Sequence, residues 1–204
     1  MISFSEGGKG APRRKDPERV FQLRLSIAEV TPRVWRRLLV RETMWLSRLH
    51  DTIQVAFEWF DYQTHLFTLD ELRFGNPVRR EGAEAVEDDR DVTLADLELL
   101  KKDRFFYDYH FGDGWRVDIR VEKVAAVEKG VRYPHCAAGE RNGPPEDCGG
   151  AEAYKDMLYS LKHPHTDLAR EWIEWLGGPG KYDPEHCDLE RINKGLKGLR
   201  SVGK

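Results

Sequence analysis

Two alternating runs flank Gly112-Asp113-Gly114. Phe105, Tyr107, Tyr109 and Phe111 alternate on one side. Trp115, Val117, Ile119 and Val121 do so on the other. Period two is the spacing of a strand with one buried face. Asp-Gly between two such runs predicts a hairpin, because glycine supplies the positive φ that a tight turn needs. Alternation places Asp108 and His110 on one face, and Tyr107, Tyr109 and Phe111 on the other. A hairpin of this length commits the chain to an antiparallel sheet.

The flanking patterns build on that sheet. Phe21, Leu23, Leu25 and Ile27 alternate, Thr31-Pro32 interrupts, and Val34 to Val40 resumes, which predicts an opening hairpin. Thr43 has N-cap chemistry ahead of Leu46, Leu49, Ile53, Ala56 and Phe57, an apolar helical face ending near Trp59. His65, Phe67 and Leu69 suggest a further strand. Gly75 to Asp91 reads as an exposed, mobile connection. Thr93 and Asp96 have capping-box spacing before a short helical face of Leu94, Leu97 and Leu100. Tyr133 to Gly150, with its prolines and glycines, reads as a loop.

The last third is helical. Tyr154, Leu158 and Leu161 form one face. Thr166 caps a helix carrying Leu168, Trp172, Trp175 and Leu176, which Gly177-Gly178 ends. Asp183-Pro184 opens a final helix with Leu189, Ile192 and Leu196 inward. The fold class is therefore α+β: an antiparallel sheet built from hairpins, an embedded helix and a helical C-terminal third. Residues 1–16 read as a disordered polar tail without the apolar core of a secretion signal, and residues 17–200 as one domain.

Composition narrows the functional classes. No apolar run approaches the roughly 20 residues of a membrane span. A net charge of −3 argues against wholesale coating of nucleic acid, which draws on Lys and Arg at phosphates. Three cysteines are too few for a disulfide scaffold, so a cytoplasmic, reducing setting is expected.

Two segments carry most of the chemistry. The hairpin tip holds Asp108, His110, Asp113 and Trp115, two carboxylates and an imidazole suited to proton transfer or to a divalent metal. The plainer reading is that Asp113 makes the turn and Trp115 anchors it. The second segment holds His135, Cys136, Glu140, Arg141 and Pro144-Pro145-Glu146-Asp147-Cys148-Gly149-Gly150. Zinc takes Cys and His, but Cys136 and Cys148 lack knuckle spacing, so a site would need His65, His110 or Cys187. The glycines lead into a helix whose free N–H groups suit an anion. Glu146 and Asp147 oppose one, and are expected to cap that helix themselves. Arg33, Arg36 and Arg37 around Trp35 are the main basic cluster and the nucleic-acid candidate, with Arg33, Trp35 and Arg37 on one strand face. His65 reads as a hydrogen-bonded structural histidine. No Gly-x-Ser-x-Gly elbow, Walker loop or dinucleotide fingerprint is present.

In this order, Phe21-Gln22-Leu23-Arg24-Leu25, Pro32-Arg33-Val34-Trp35-Arg36-Arg37, Leu46 to Trp59 with His65 and Phe67, and Tyr107 to Trp115 resemble the plasmid pRiA4b ORF-3-like family, also labelled IS1096 element passenger TnpR proteins. Pro134, Cys136, Gly139-Glu140, Pro144 to Gly150, Asp183-Pro184-Glu185 and Asp188-Leu189 extend the likeness, which covers roughly residues 20–196. His110 departs from the family pattern, which runs from Asp into Phe-Gly-Asp. Cys187 stands where the family tends to have an apolar ring, and is expected in the core. The resemblance implies a compact α+β fold, carriage on mobile elements and no established activity. The nucleophilic Ser among arginines that a serine recombinase needs is not found here, nor is its helix-turn-helix.

The expected function is a non-enzymatic binding or adaptor domain with a protein partner, using the two Gly-rich loops and the Arg33–Arg37 strand, without a cofactor. One alternative is a metal-dependent hydrolase or nuclease using Asp108, His110, Asp113, Glu146 and Asp147. Another is a DNA-binding accessory to transposition.

Overall fold

The computed structural model describes residues 17–76 and 86–199. The expected tail at 1–16 lies outside them. Eight strands form one sheet in the order β5-β4-β3-β6-β7-β1-β2-β8, antiparallel throughout except at β4–β5. These strands are β1 Arg19–Ile27, β2 Trp35–Arg41, β3 His65–Leu69, β4 Leu72–Gly75, β5 Glu87–Asp88, β6 Arg104–Tyr109, β7 Trp115–Ala126 and β8 His135–Glu140. Four helices complete the α+β fold: α1 Leu46–Phe57, α2 Gly150–Leu161, α3 Asp167–Trp175 and α4 Leu189–Gly198.

Alternation produces one buried and one open sheet face. Phe21, Leu23 and Leu25 of β1, Leu38 and Val40 of β2, and Val117, Ile119 and Val121 of β7 all point into the core. Leu49, Ile53, Ala56 and Phe57 of α1 join them there, as the apolar helical face requires. Gln22, Arg24, Asp118 and Arg120, which alternate with them, lie on the opposite face.

Several expectations are corrected. Thr43 does not cap α1. Its hydroxyl donates to Glu18, and the first helical N–H groups go instead to the carbonyls of Val92 and Asp89. The 75–91 connection is not wholly exposed: it contains β5, and Asp89 is buried. Its central part lies outside the described residues. The Thr93–Asp96 capping box forms, with N–H of Thr93 donating to Asp96 at 2.8 Å, but turns follow it instead of a helix. Leu99 is buried there and Leu100 exposed.

The 133–150 segment is not all loop. Its first part is β8, whose small residues Ala138 and Gly139 lie against Arg37 and Arg36 of β2. Asp183-Pro184 does not open α4, which starts at Leu189 with the Asp188 carboxylate accepting the N–H of Arg191. Thr166 does cap α3, but Leu168 and Trp175 of that helix are exposed, and Ala169 is its buried residue.

The main hairpin holds a further correction. β6 stops at Tyr109, and His110 takes a left-handed φ of 55°. Residues 110–114 form the turn, closed by N–H of Gly114 donating to the carbonyl of His110 at 2.7 Å. Alternation therefore fails beyond Tyr109. His110 leaves the Asp108 face, and Phe111 is exposed at 61%.

Candidate functional site

Three connections meet at one end of the sheet: residues 58–64 after α1, the 110–114 turn, and residues 141–149 before α2. Glu146 is the buried centre of the junction. One of its carboxylate oxygens accepts the hydroxyl of Tyr109, and the other accepts the N–H of Phe60 at 2.7 Å. Its own carbonyl accepts the indole N–H of Trp115 at 3.2 Å. Trp59 donates to the carbonyl of Pro144 at 3.0 Å and stacks on Tyr109.

The turn adds its own fastenings. The N–H of Asp113 donates to Nδ1 of His110 at 2.9 Å. In the neutral ring the proton is then on Nε2, which points to Asp147 at 3.2 Å. Asp113 in turn accepts the N–H of Gly149, the residue capping α2, at 3.1 Å. Glu146 and Asp147 do not cap that helix, contrary to expectation; the hairpin supplies the acid. Both Gly-rich loops thus lock together. A side chain at Gly143 would lie 2.0 Å from the carbonyl oxygen of Phe57, and one at Gly150 would lie 2.2 Å from that of Asp113.

A second polar network fixes the 58–64 connection. Gln54 donates to the hydroxyl of Tyr107 at 2.8 Å, and that hydroxyl meets Nδ1 of His50 at 2.7 Å. Nε2 of His50 meets Asp61 at 2.8 Å, and the N–H of Asp61 donates to Gln54 at 3.1 Å. With Nε2 protonated these four bonds form a closed ring in which Tyr107 donates to His50 and His50 donates to Asp61. Burial, then the adjacent His65 ring stacked at 3.7 Å, lowers the His50 pKa. His65 is itself held by Asp89 at 2.6 Å, a structural histidine in its setting.

The remaining sequence candidates lie elsewhere. Asp108 forms a two-pronged pair with Arg116 at 2.6 and 3.0 Å. Glu140 accepts the indole N–H of Trp35 at 2.8 Å. Arg36 points inward and is 1% exposed, donating to the carbonyls of Ala56, Trp35 and Glu140. Arg37 faces outward and pairs with Glu122 at 2.5 Å, while Arg33 is exposed. Cys136 lies buried on β8 opposite Leu38 of β2, its N–H bound by Asn193, and Cys148 is buried in the loop junction. Cys187, expected in the core, is half-buried and lines a surface cleft with Arg33 and Glu140.

His65, His110, Cys136 and Cys148 do not share one ligand sphere. Among the described residues, the group of three whose ligand atoms all lie within 4.8 Å is His50, Asp51 and Asp61. Asp51 already pairs with Arg48 at 2.9 Å, and both His50 nitrogens are bonded.

Residues 19–191, most of the chain and all three connections, match the family described as plasmid pRiA4b ORF-3-like protein. The chain belongs to the pRiA4b ORF-3-like family. It is 30% identical over 180 residues to the uncharacterized protein y4hQ of Sinorhizobium fredii, covering 88% of this chain and 92% of that one. It also resembles the crystal structure of a protein of unknown function, MM3350, from Methanosarcina mazei Go1. That likeness has a TM-score of 0.75 and 34% identity, over 86% of this chain and 98% of the other. In this pRiA4b ORF-3-like chain, two of the segments that carried the resemblance, Tyr107 to Trp115 and Pro144 to Gly150, fasten the loops. No helix among the described residues is long and apolar enough to cross a membrane.

What the fastened loops present outward was not foreseen from the sequence. Phe60 and Tyr62 are 67% and 73% exposed, with rings stacked 5.8 Å apart. Exposed Asp61 stands between them in sequence, and exposed Asp147 lies on the adjoining loop. His50 and Gln54 were missed too. Their signal was present: polar residues at i and i+4 on the apolar face of α1.

Proposed function

We propose that this chain is a non-enzymatic binding domain that docks a protein segment carrying basic and apolar side chains. The Phe60–Tyr62 pair carries the reading. Two stacked rings stand in solvent on a connection whose backbone is held by Glu146 at Phe60 and by Gln54 at Asp61. Exposed aromatics on a rigid base bind with little loss of conformational entropy and are frequent interface anchors. Asp61 and Asp147 beside them favour a basic partner.

Nucleophilic chemistry has little support. Burial pushes the Cys136 thiol up to about 11 and the Cys148 thiol up to about 12, so both are protonated near neutrality. Burial and the Glu146 hydrogen bond raise the Tyr109 phenol further. The metal-hydrolase reading asks five groups to converge, yet Asp108 is paired with Arg116 and Glu146 is enclosed by Tyr109 and Phe60. Carriage on a mobile element and a cytoplasmic setting, where free thiols persist, belong to the same proposal.

Selection from a peptide display library against the intact chain tests it. Peptides with Lys or Arg beside an apolar residue should be enriched, and Phe60→Ala/Tyr62→Ala should release them without unfolding. Enrichment of peptides that bind the double variant equally well would refute the reading.

A further inference from the structure

The open sheet face carries a row of like charges. Across the neighbouring strands β6, β7, β1 and β2, the directly opposed residues are Arg104, Arg120, Arg24 and Arg37. Like charges directly opposite each other on antiparallel strands oppose pairing. Two of the four are compensated: Arg37 pairs with Glu122 at 2.5 Å, and Arg104 lies 3.4 Å from Asp118. Arg120 is exposed and makes no ion pair among the described residues. Arg24 lies over the Trp35 ring, its guanidinium carbon 4.0 Å from the ring centre.

The next row along the same strands is Phe106, Asp118, Ser26 and Trp35. Beside the two rows, under the β1–β2 connection, lies a cleft of about 370 Å³. Four arginines, Arg24, Arg33, Arg104 and Arg120, line it against two carboxylates, Glu29 and Asp118. One oxygen of Asp118 is buried without a hydrogen-bond donor. This concentration of positive charge sits on a chain whose net charge is −3.

We propose that this face binds single-stranded nucleic acid, with phosphates along the arginine row and bases over the neighbouring row. At a strand spacing of about 4.8 Å the row runs about 14 Å from end to end. A line of charges suits a chain of phosphates better than one isolated phosphate. Two residues along a strand advance about 6.8 Å, which sets the exposed Phe106 ring beside the charges, while the buried Trp35 ring serves to hold the Arg24 guanidinium flat on the face. Single-strand binding surfaces combine a positive track with rings or guanidinium planes on which bases stack. A duplex offers no free base faces and would leave Phe106 unused. The site goes beyond the proposed protein docking and uses none of the residues of the loop surface.

Fluorescence anisotropy of a labelled dodecathymidylate with the intact chain, across a salt series, tests the proposal. The wild type should bind at low salt and release the strand as salt rises. Arg24→Ala/Arg120→Ala should weaken binding by roughly tenfold and flatten the logarithmic salt slope by about 0.7 for each phosphate no longer neutralised. Arg24→Lys/Arg120→Lys should restore most of that slope. Circular dichroism should show the variants folded, since the change removes mutually repelling groups from an open face. Absence of binding by the wild type, unchanged affinity and slope in the alanine variant, or preferential displacement of the strand by a doubly phosphorylated peptide would each overturn it.

Discussion

The carboxylate of Asp113 accepts the backbone N–H of Gly149, thirty-six residues later in the chain, at 3.1 Å, so a hairpin turn caps the helix that starts at Gly150. This bond joins the two Gly-rich segments. Asp113→Ala should lower unfolding stability by about 1 kcal/mol, the usual worth of an N-cap. Asp113→Asn should keep most of it, because an amide oxygen still accepts. Denaturant titration of the three proteins measures the difference.

Gly150 permits the same junction sterically. Its φ is 82°, and a Cβ there would fall 2.2 Å from the carbonyl oxygen of Asp113. Gly150→Ala combines backbone strain with a clash against main chain that cannot swing aside. A loss of about 3 kcal/mol is expected, at the high end for a single substitution. Gly177→Ala is a suitable comparison, since its φ is also positive but nothing lies within 4 Å. It should cost clearly less.

The His50 ring of hydrogen bonds makes the loop surface sensitive to acid. The groups facing this imidazole are His65 with its partner Asp89, Tyr107, Asp51 and Asp61. Burial and His65 hold the folded-state pKa below the unfolded value of about 6.5. The unfolded chain therefore binds the proton more readily. The associated stability is complete above about 6.5 and is lost as pH falls from there through the folded value. A proton on Nδ1 also ends the bond that Tyr107 donates. Unfolding midpoints should decline on acidification, with a shallower slope in His50→Gln. Peptide binding at Phe60 and Tyr62 should weaken over the same range.

Arg36 and Arg120 occupy opposite faces of one sheet and should respond in opposite ways. Arg36→Lys replaces a guanidinium that serves three carbonyls with an ammonium that cannot span them. Stability should fall by about 1–3 kcal/mol. The salt slope of oligonucleotide binding should stay unchanged. Arg120→Gln relieves repulsion from Arg24 and Arg104, so stability should hold or rise by up to about 1 kcal/mol while the slope flattens.

These contrasts show what was legible in the sequence. Parity alone separates Arg36 from Arg37: Val34, Leu38 and Val40 are buried on the Arg36 side. The main hairpin and the apolar face of α1 were equally plain. Alternation failed at His110, where a left-handed residue turned the imidazole toward Asp147. β8 stayed hidden because its short Ala-Ala-Gly stretch has no apolar period, and its pairing comes from β2. Glu146 read as a helix-capping acid, and only tertiary contact with Tyr109 and Phe60 makes it a buried hub. The arginine row was out of reach too, since strand register joins positions far apart in the chain.

The most direct measurement is calorimetric titration of a display-selected basic peptide into the wild-type chain and into Phe60→Ala/Tyr62→Ala at neutral pH. A docking surface centred on these rings predicts that the double variant stays folded and loses about 2 kcal/mol or more of binding free energy. An equal dissociation constant for both folded proteins would contradict it.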